Sequence, residues 1–251
     1  MSKALNRAEF GKHAAYYINS PTHARGASLQ RLVDLTAPKS DWYVLDVATA
    51  VGHTALAFAV HVEHVTAVDL TREMITLAQK ETQRLELTNV TLEVADAEKL
   101  PYDDGRFHLV TCRIAPHHFE DIPRFVREAT RVLRPEGLLA VVDNIVPGGE
   151  VGKYVNSFEK KRDPSHGRCL TLEEWVDIYE SAGLEITSLE TLGKELVFEA
   201  WAGRHPQPLQ DELRRMLQDA PAEVREFLQP QFGERTTFRL LEGIIVGRKP
   251  G

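Results

Sequence analysis

The chain contains little cysteine and has no long hydrophobic run. Its two cysteines, Cys112 and Cys169, lie far apart among 251 residues, which argues against a disulfide framework and suits a reducing compartment. No apolar stretch approaches the roughly 18 residues that suggest a membrane span, and the N-terminal residues lack the pattern of a secretory signal. We therefore expect a cytoplasmic protein without a membrane span.

The chain also has fewer basic than acidic residues. Thirty Lys and Arg residues stand against 37 Asp and Glu residues, so the formal net charge is −7. The absence of a basic footprint disfavours nucleic acid or an anionic membrane surface as a partner. No histidine or cysteine pair has the spacing of a zinc site, and we expect no metal. The hydrophobic content of 43% allows a full core, as in one compact domain.

The most informative stretch of the sequence is a strand followed by a turn of small residues. In the segment VLDVATAVGHT, β-forming residues precede Ala48, Ala50 and Gly52, and an amphipathic run begins at His53. Such a turn lets a ligand lie against the backbone, near the unpaired N–H groups that begin a helix. An ordinary βα connection would look the same from this stretch alone.

Acidic residues follow the predicted strands that come later. Asp69 ends a strand that begins at His64, and it follows Asp46 by about 20 positions, the spacing that places an acid on a ribose in nucleotide-binding βαβ units. Asp96 follows the third strand and Asp143 ends the fifth. In an open parallel sheet the carboxyl ends of the strands share the edge where ligands bind.

Strand and helix patterns alternate five times along the first part of the chain, which predicts a right-handed doubly wound sheet. Two helices, over 3–18 and 22–36, precede the first strand. The later part is less regular, with a sixth strand over 184–192, two helices separated by Pro221 and a last strand in 238–249. We expect that last strand to be antiparallel because the chain returns to the sheet from helices.

Together these motifs resemble the class I S-adenosylmethionine-dependent methyltransferases, in particular the small-molecule branch of the ubiquinone/menaquinone-biosynthesis type. The matching segments are VLDVATAVGHT, TAVDLTREMITLAQ, VADAEKLPYDDGRFHLVTCR, HHFED and EATRVLRPEGLLAVVD, in order over about residues 42–143. The resemblance implies a Rossmann-like α/β fold with a mostly parallel sheet of seven strands, an antiparallel last strand and helices on both faces. It also implies S-adenosyl-L-methionine as cofactor, S-adenosyl-L-homocysteine as product, and a small-molecule acceptor.

The resemblance divides the single methyltransferase domain, 1–251, into functional parts. Residues 1–38 would be an N-terminal helical cover and 42–146 the cofactor-binding half. Residues 147–232 would supply substrate-side helices and the sixth strand, and 236–248 the last strand.

The resemblance further implies a set of cofactor-binding residues at one sheet edge. Asp69 is expected at the ribose hydroxyls and Asp96 at the adenine amine. Met74 is expected on the adenine face, although periodicity alone would make it a core residue. The full set is Asp46, Ala48, Ala50, Gly52, Asp69, Leu70, Met74, Asp96, Ala97 and Arg113.

The first motif departs from the usual Asp-x-Gly-x-Gly-x-Gly pattern. Ala48 and Ala50 occupy the first two glycine positions and only Gly52 is kept. Alanine resists positive φ, so Ala48 suits this turn if its φ is negative. The departure leaves open a non-catalytic or regulatory cofactor-binding protein. A nicotinamide-dependent oxidoreductase shares the strand, turn and ribose acid, although the Gly-x-Gly-x-x-Gly pattern is absent.

Candidate catalytic and substrate residues lie after the fourth and fifth strands. His117 and His118 follow strand four, where a general base or a capping and packing role is equally open. Arg162 and His166 could hold an anionic substrate or belong to a solvated turn. The remaining candidate substrate contacts are Tyr16 and Tyr17, which more often pack in a core, and Asp143. The acceptor, the atom methylated and the oligomeric state, a homodimer included, are left open.

Overall fold

A computed structural model describes residues 3–18 and 26–251, without the side chains of residues 12–18. Two helices come first, α1 (Lys3–Ile18) and α2 (Ala27–Thr36). The alternating part consists of β1 (Tyr43–Val47), α3 (His53–Ala59), β2 (His64–Asp69), α4 (Arg72–Arg84), β3 (Val90–Val94), β4 (Phe107–Arg113), a 3-10 turn (Pro116–His118), α5 (Ile122–Val132) and β5 (Leu133–Ile145). The remaining elements are α6 (Gly149–Arg162), α7 (Leu172–Ser181), β6 (Glu185–Val197), α8 (Phe198–Ala202), α9 (Gln207–Gln218), α10 (Ala222–Leu228) and β7 (Thr237–Arg248).

The seven strands form one sheet in the order β3-β2-β1-β4-β5-β7-β6. β7 pairs antiparallel with both β5 and β6, whereas the other pairs are parallel. The predicted fold class, with its antiparallel last strand, is therefore confirmed. The strand order reverses direction between β1 and β4, and the crevice at such a reversal is where open α/β sheets bind ligands.

The central strands are hydrophobic along their length because helices cover both faces of the sheet. On one face, Phe125 of α5 and Trp175 of α7 belong to a core cluster that includes Leu45. On the other face, Leu32 of α2 and Phe58 of α3 pack with the sheet. Full burial of side chains of this size contributes roughly 1.5–3 kcal/mol each, so these layers hold the carboxyl ends of the strands in place.

The later part of the chain differs from its prediction in detail. β6 continues to Val197, beyond the predicted end at residue 192, because it pairs with β7 along its length. The short helix α8 was not predicted. It packs with α6, α9 and α10 around Phe158 and Leu213 in a separate core cluster. Among the helices described here, none is long and apolar enough to cross a membrane.

Candidate active site

An open cavity lies at the carboxyl ends of β1 to β4, beneath α1. Its empty volume is about 1020 Å³, part of it continuous with solvent. Its wall combines α1, the turn after β1, the ends of the next three strands and the 3-10 turn. Ten of the sequence-predicted residues line it: Asp46, Ala48, Ala50, Asp69, Leu70, Met74, Asp96, Ala97, Arg113 and His118.

The turn after β1 adopts left-handed backbone at all three positions of the small-residue pattern. Ala48 has a φ of +55° and Ala50 a φ of +49°, and Gly52 has a φ of +93°. The negative φ that would suit Ala48 is therefore not found. The turn keeps a glycine-like path although two of its residues are alanine.

Two carboxylates accept the hydrogen bonds that hold this strained turn. Asp46 is 1% exposed and accepts from Thr49 Oγ1 at 2.6 Å and Thr111 Oγ1 at 2.7 Å. Burial raises the pKa of Asp46 to about 6, against the opposing effect of these hydrogen bonds. Asp69 Oδ2 accepts from the Ala50 backbone N–H at 2.9 Å. The observed contacts of Asp46 are structural, because they fix the turn that forms the cavity floor.

Asp69 connects the turn to the start of α4. Its Oδ1 accepts from the Thr71 backbone N–H at 2.8 Å, while burial raises the pKa of its carboxyl group. Thr71 occupies the N-cap position, as expected, but its side chain makes no capping hydrogen bond. A carboxylate oxygen can accept two hydrogen bonds, so Asp69 can still accept from ligand hydroxyls.

Asp96 is held by a residue that the sequence reasoning did not identify. Lys3 Nζ of α1 donates to Asp96 Oδ2 at 2.7 Å, and it lies 2.9 Å from Glu98 Oε2. Burial acts to raise the pKa of Asp96, but hydrogen bonds from Lys3 and from the Glu98 backbone outweigh it and hold that pKa below its usual range. The first turn of α1 is thus attached to the loop after β3.

One face of α1 forms part of the cavity wall. Lys3, Asn6 and Phe10 line the cavity, at the spacing of three and four residues that a helix face requires. Asn6 Nδ2 donates to the His118 backbone oxygen at 2.7 Å, and Phe10 contacts the His118 ring edge-on at 4.8 Å. Helical spacing was visible in the sequence, but nothing there indicated what the helix covers.

The two other aromatic candidates on this helix are Tyr16 and Tyr17. Their backbone belongs to α1, and their side chains lie outside the described residues.

Among the histidines predicted as catalytic candidates, His118 is the one that lines the cavity. His53, at the start of α3, lines it as well. His118 Nδ1 lies 2.9 Å from the Ser165 backbone oxygen. Because a carbonyl oxygen only accepts, the network assigns the proton to Nδ1 and leaves Nε2 as an acceptor. Burial, together with the neighbouring His117, lowers the pKa of His118 to about 3. The ring is therefore neutral at physiological pH.

His117 and Asp143 lie behind that wall rather than in it. His117 Nδ1 is 2.5 Å from Asp143 Oδ1, and its backbone N–H donates to Asp143 Oδ2 at 2.8 Å. Asp143 is 1% exposed. The rings of His117 and His118 are 4.1 Å apart, so the buried pair supports the histidine that faces the cavity.

Arg162 and His166 also lie outside the cavity wall, and their segment is not a solvated turn. His166 is 1% exposed, and its Nε2 lies 2.9 Å from Asn156 Oδ1. Burial is the main cause that lowers the pKa of His166 to about 2. The Arg162 guanidinium lies over the Trp201 ring at 4.9 Å. The His166 ring lies 5.4 Å from the His117 ring and 6.4 Å from the His118 ring, whereas Arg162 packs on an aromatic ring of the separate core cluster.

The sheet with its antiparallel last strand, the left-handed turn after β1 and Asp69 at the carboxyl end of β2 define a Rossmann-like α/β fold of the kind that binds nucleotide cofactors. The methyltransferase domain family matches residues 45–141. The uncharacterized methyltransferase YcgJ of Bacillus subtilis is 32% identical over 250 residues, which is 97% of this chain and 99% of that protein. The chain therefore belongs to the class I S-adenosylmethionine-dependent methyltransferase family.

Further comparisons agree with this assignment. The crystal structure of YcgJ gives a TM-score of 0.86 at 31% identity, and the match covers 89% of this chain and 98% of that one. A demethylmenaquinone methyltransferase of Chlorobaculum tepidum is 34% identical over 111 residues, 44% of each chain. The nicotinamide-dependent oxidoreductase alternative is excluded by this family membership.

Proposed function

We propose that the protein transfers the methyl group of S-adenosylmethionine to a small-molecule acceptor bound in the cavity beneath α1. The observation that carries this proposal is that α1 covers part of the cavity. Lys3, Asn6 and Phe10 cover the space that Asp69 and His118 share. A small acceptor fits under this cover, whereas a folded macromolecule would have to displace it. In this proposal residues 1–38 act as the cover, 42–146 hold the cofactor, and 147–232 with 236–248 support the acceptor side.

The residues of the cavity wall fit the cofactor that the family implies. Asp69 would accept from the ribose hydroxyls and Asp96 from the adenine amine. Met74 is 1% exposed and packs beside Val51, which gives the adenine an apolar face to lie on. The backbone of Ala48 and Ala50 lines the remaining floor, where the amino-acid portion would lie. The proposed set is completed by four other residues of the cavity wall, Asp46, Leu70, Ala97 and Arg113. Gly52 does not line the cavity and would act by shaping the turn.

When bound, S-adenosylmethionine supplies an electrophilic sulfonium methyl group. The residues of the chain then have to align a nucleophile and exclude water, an orientation effect that can be worth roughly 7–11 kcal/mol. We assign His118 Nε2 to the acceptor, because this atom carries no proton in the network described above. It would accept a hydrogen bond from an O–H or N–H group and so orient it. From an O–H group it would also receive the proton, because methylation of the oxygen makes that proton strongly acidic.

His117 and Asp143 would act through His118 rather than on the acceptor. Their contact at 2.5 Å fixes the ring of His117, which packs against His118. The His166 ring lies beside both of these rings, whereas Arg162 packs on the separate core cluster. We therefore keep His118 as the proposed catalytic residue, assign His117, Asp143 and His166 to positioning, and assign Arg162 to packing.

The first test is a calorimetric titration with S-adenosylmethionine and S-adenosylhomocysteine, with NAD as the control ligand. We expect micromolar binding, about −8 kcal/mol, of the first two and none of NAD. A screen of small acceptors, followed by release of S-adenosylhomocysteine, would then identify the substrate. Absence of binding at millimolar cofactor would contradict the proposal, as would a preference for NAD.

A further inference from the structure

Lys3 fastens the first turn of α1 to the rim of the cavity. Its Nζ lies 2.7 Å from Asp96 Oδ2 and 2.9 Å from Glu98 Oε2. Its backbone N–H donates to Glu120 Oε1 at 2.8 Å. The Glu98 side chain is only 5% exposed, so salt screens this contact less than it would screen a pair on the open surface.

The ion pairs of Lys3 leave space for a ligand in the cavity beneath them. Lys3, Asp96 and Glu98 all line the cavity, so a ligand can occupy it without breaking the contacts. An ammonium group carries three N–H donors, and two of them point at these carboxylates. A third donor is left for a ligand that reaches Asp96.

The same helix is attached at a second point, on the acceptor side of the cavity. Asn6 donates to the His118 backbone oxygen at 2.7 Å, and Phe10 packs against the His118 ring. α1 also packs against α4, the helix that follows Asp69. The helix therefore lies across the cavity, with Lys3 attached beside Asp96 and Asn6 attached beside His118. Phe10 packs both on the His118 ring and on the cluster of Val51 and Met74.

We propose that Lys3 is a latch that retains the nucleoside of the bound cofactor by holding α1 closed over it. The inference rests on the proposed function, because it places the adenine beside Asp96. Entry and release of the cofactor then require the Lys3 contacts with Asp96 and Glu98 to break. The latch therefore slows dissociation more than it changes the shape of the cavity.

The test compares Lys3→Met, which removes the charge and keeps the length, with Lys3→Arg, which keeps the charge. Lys80→Met is the matched control, since Lys80 is exposed on α4 and does not line the cavity. Dissociation of S-adenosylhomocysteine would be measured by surface plasmon resonance. We expect Lys3→Met to accelerate release about tenfold, which corresponds to about 1.4 kcal/mol. Lys3→Arg and Lys80→Met should stay close to wild type.

A second readout needs no ligand. Hydrogen exchange of the α1 backbone amides in the free protein should be faster in Lys3→Met than in wild type, because the first turn of the helix is detached. Raising the salt concentration should also speed release from wild type more than from Lys3→Met.

The outcomes separate the latch from the proposed function. Wild-type binding of S-adenosylhomocysteine with unchanged release from Lys3→Met would overturn the latch alone. Unchanged exchange of the α1 amides in Lys3→Met would overturn it as well. If the wild-type protein failed to bind S-adenosylhomocysteine, the proposed function and the latch would both be refuted.

Discussion

Replacing Ala50 with glycine is expected to raise the free energy of unfolding, although the substitution removes a methyl group. Ala50 has a φ of +49°, and left-handed backbone costs an L-residue about 1–2 kcal/mol. Glycine removes that cost, but it also destabilises the fold by about 0.5–1 kcal/mol, because it loses more conformational freedom on folding than alanine does. The methyl group of Ala50 is only partly buried, so little packing is lost. The net gain should be about 0.5–1 kcal/mol.

Two other alanines make the comparison sharp. Ala37 has a φ of +41° and is exposed at the end of α2, so Ala37→Gly tests the backbone effect away from the cavity. Ala48 has a φ of +55° but packs against a larger core cluster than Ala50 does, so Ala48→Gly should gain less. Urea unfolding without ligand gives the free energies, and 1 kcal/mol corresponds to about 2–4 °C in Tm.

The free energies of unfolding of these variants distinguish relief of backbone strain from loss of methyl packing. Equal stabilisation by Ala37→Gly and Ala50→Gly supports relief of backbone strain at both sites. If neither variant gains stability, the strain reasoning is refuted. If Ala37→Gly alone gains stability, the turn after β1 depends on its methyl groups.

Three further predictions concern the charged and polar side chains. Asp69→Asn should weaken binding of S-adenosylhomocysteine by about 1–3 kcal/mol in calorimetry, because the amide leaves the N–H of Ala50 or Thr71 facing another donor; unchanged affinity would place the ribose elsewhere. His118→Gln should lower turnover by about 100-fold and leave S-adenosylhomocysteine affinity at the wild-type value, whereas a loss of affinity would make the role of His118 structural. The pKa of His166 is lowered to about 2 in the folded protein. The contribution of its neutral ring to stability is therefore complete above the unfolded pKa of about 6.5 and is lost progressively as pH falls from there toward 2. The wild-type protein should therefore lose about 2 kcal/mol through His166 between pH 7 and pH 5, and His166→Gln, which keeps a donor for Asn156, should lose less over the same range in urea unfolding; parallel curves would contradict the assignment.

The sequence predicted the sheet and its binding edge because periodicity and strand-end acids report local structure. The resemblance implied a helical cover, but the sequence could not predict how α1 is attached, since the partners of Lys3 lie more than 90 positions away in Asp96 and Glu98. Nor could it predict the backbone of Ala48, because hydrogen bonds around the turn overcome a local preference of about 1–2 kcal/mol. The composition around His166 likewise suggested a solvated turn. In the fold His166 is buried and contacts Asn156, ten positions earlier in the chain.

An acid near the end of a parallel strand is not by itself evidence of a ligand. Asp69 is the last residue of β2 and Asp96 lies beyond the end of β3, and both line the cavity. Asp143 lies inside β5, which continues to Ile145, and its carboxylate contacts the backbone N–H and the ring of His117. The position relative to the last paired residue therefore separates these acids. Asp69 and Asp96, at or beyond that residue, turn toward the crevice. Asp143, two residues inside its strand, is directed to His117 and would act on a ligand only through that side chain.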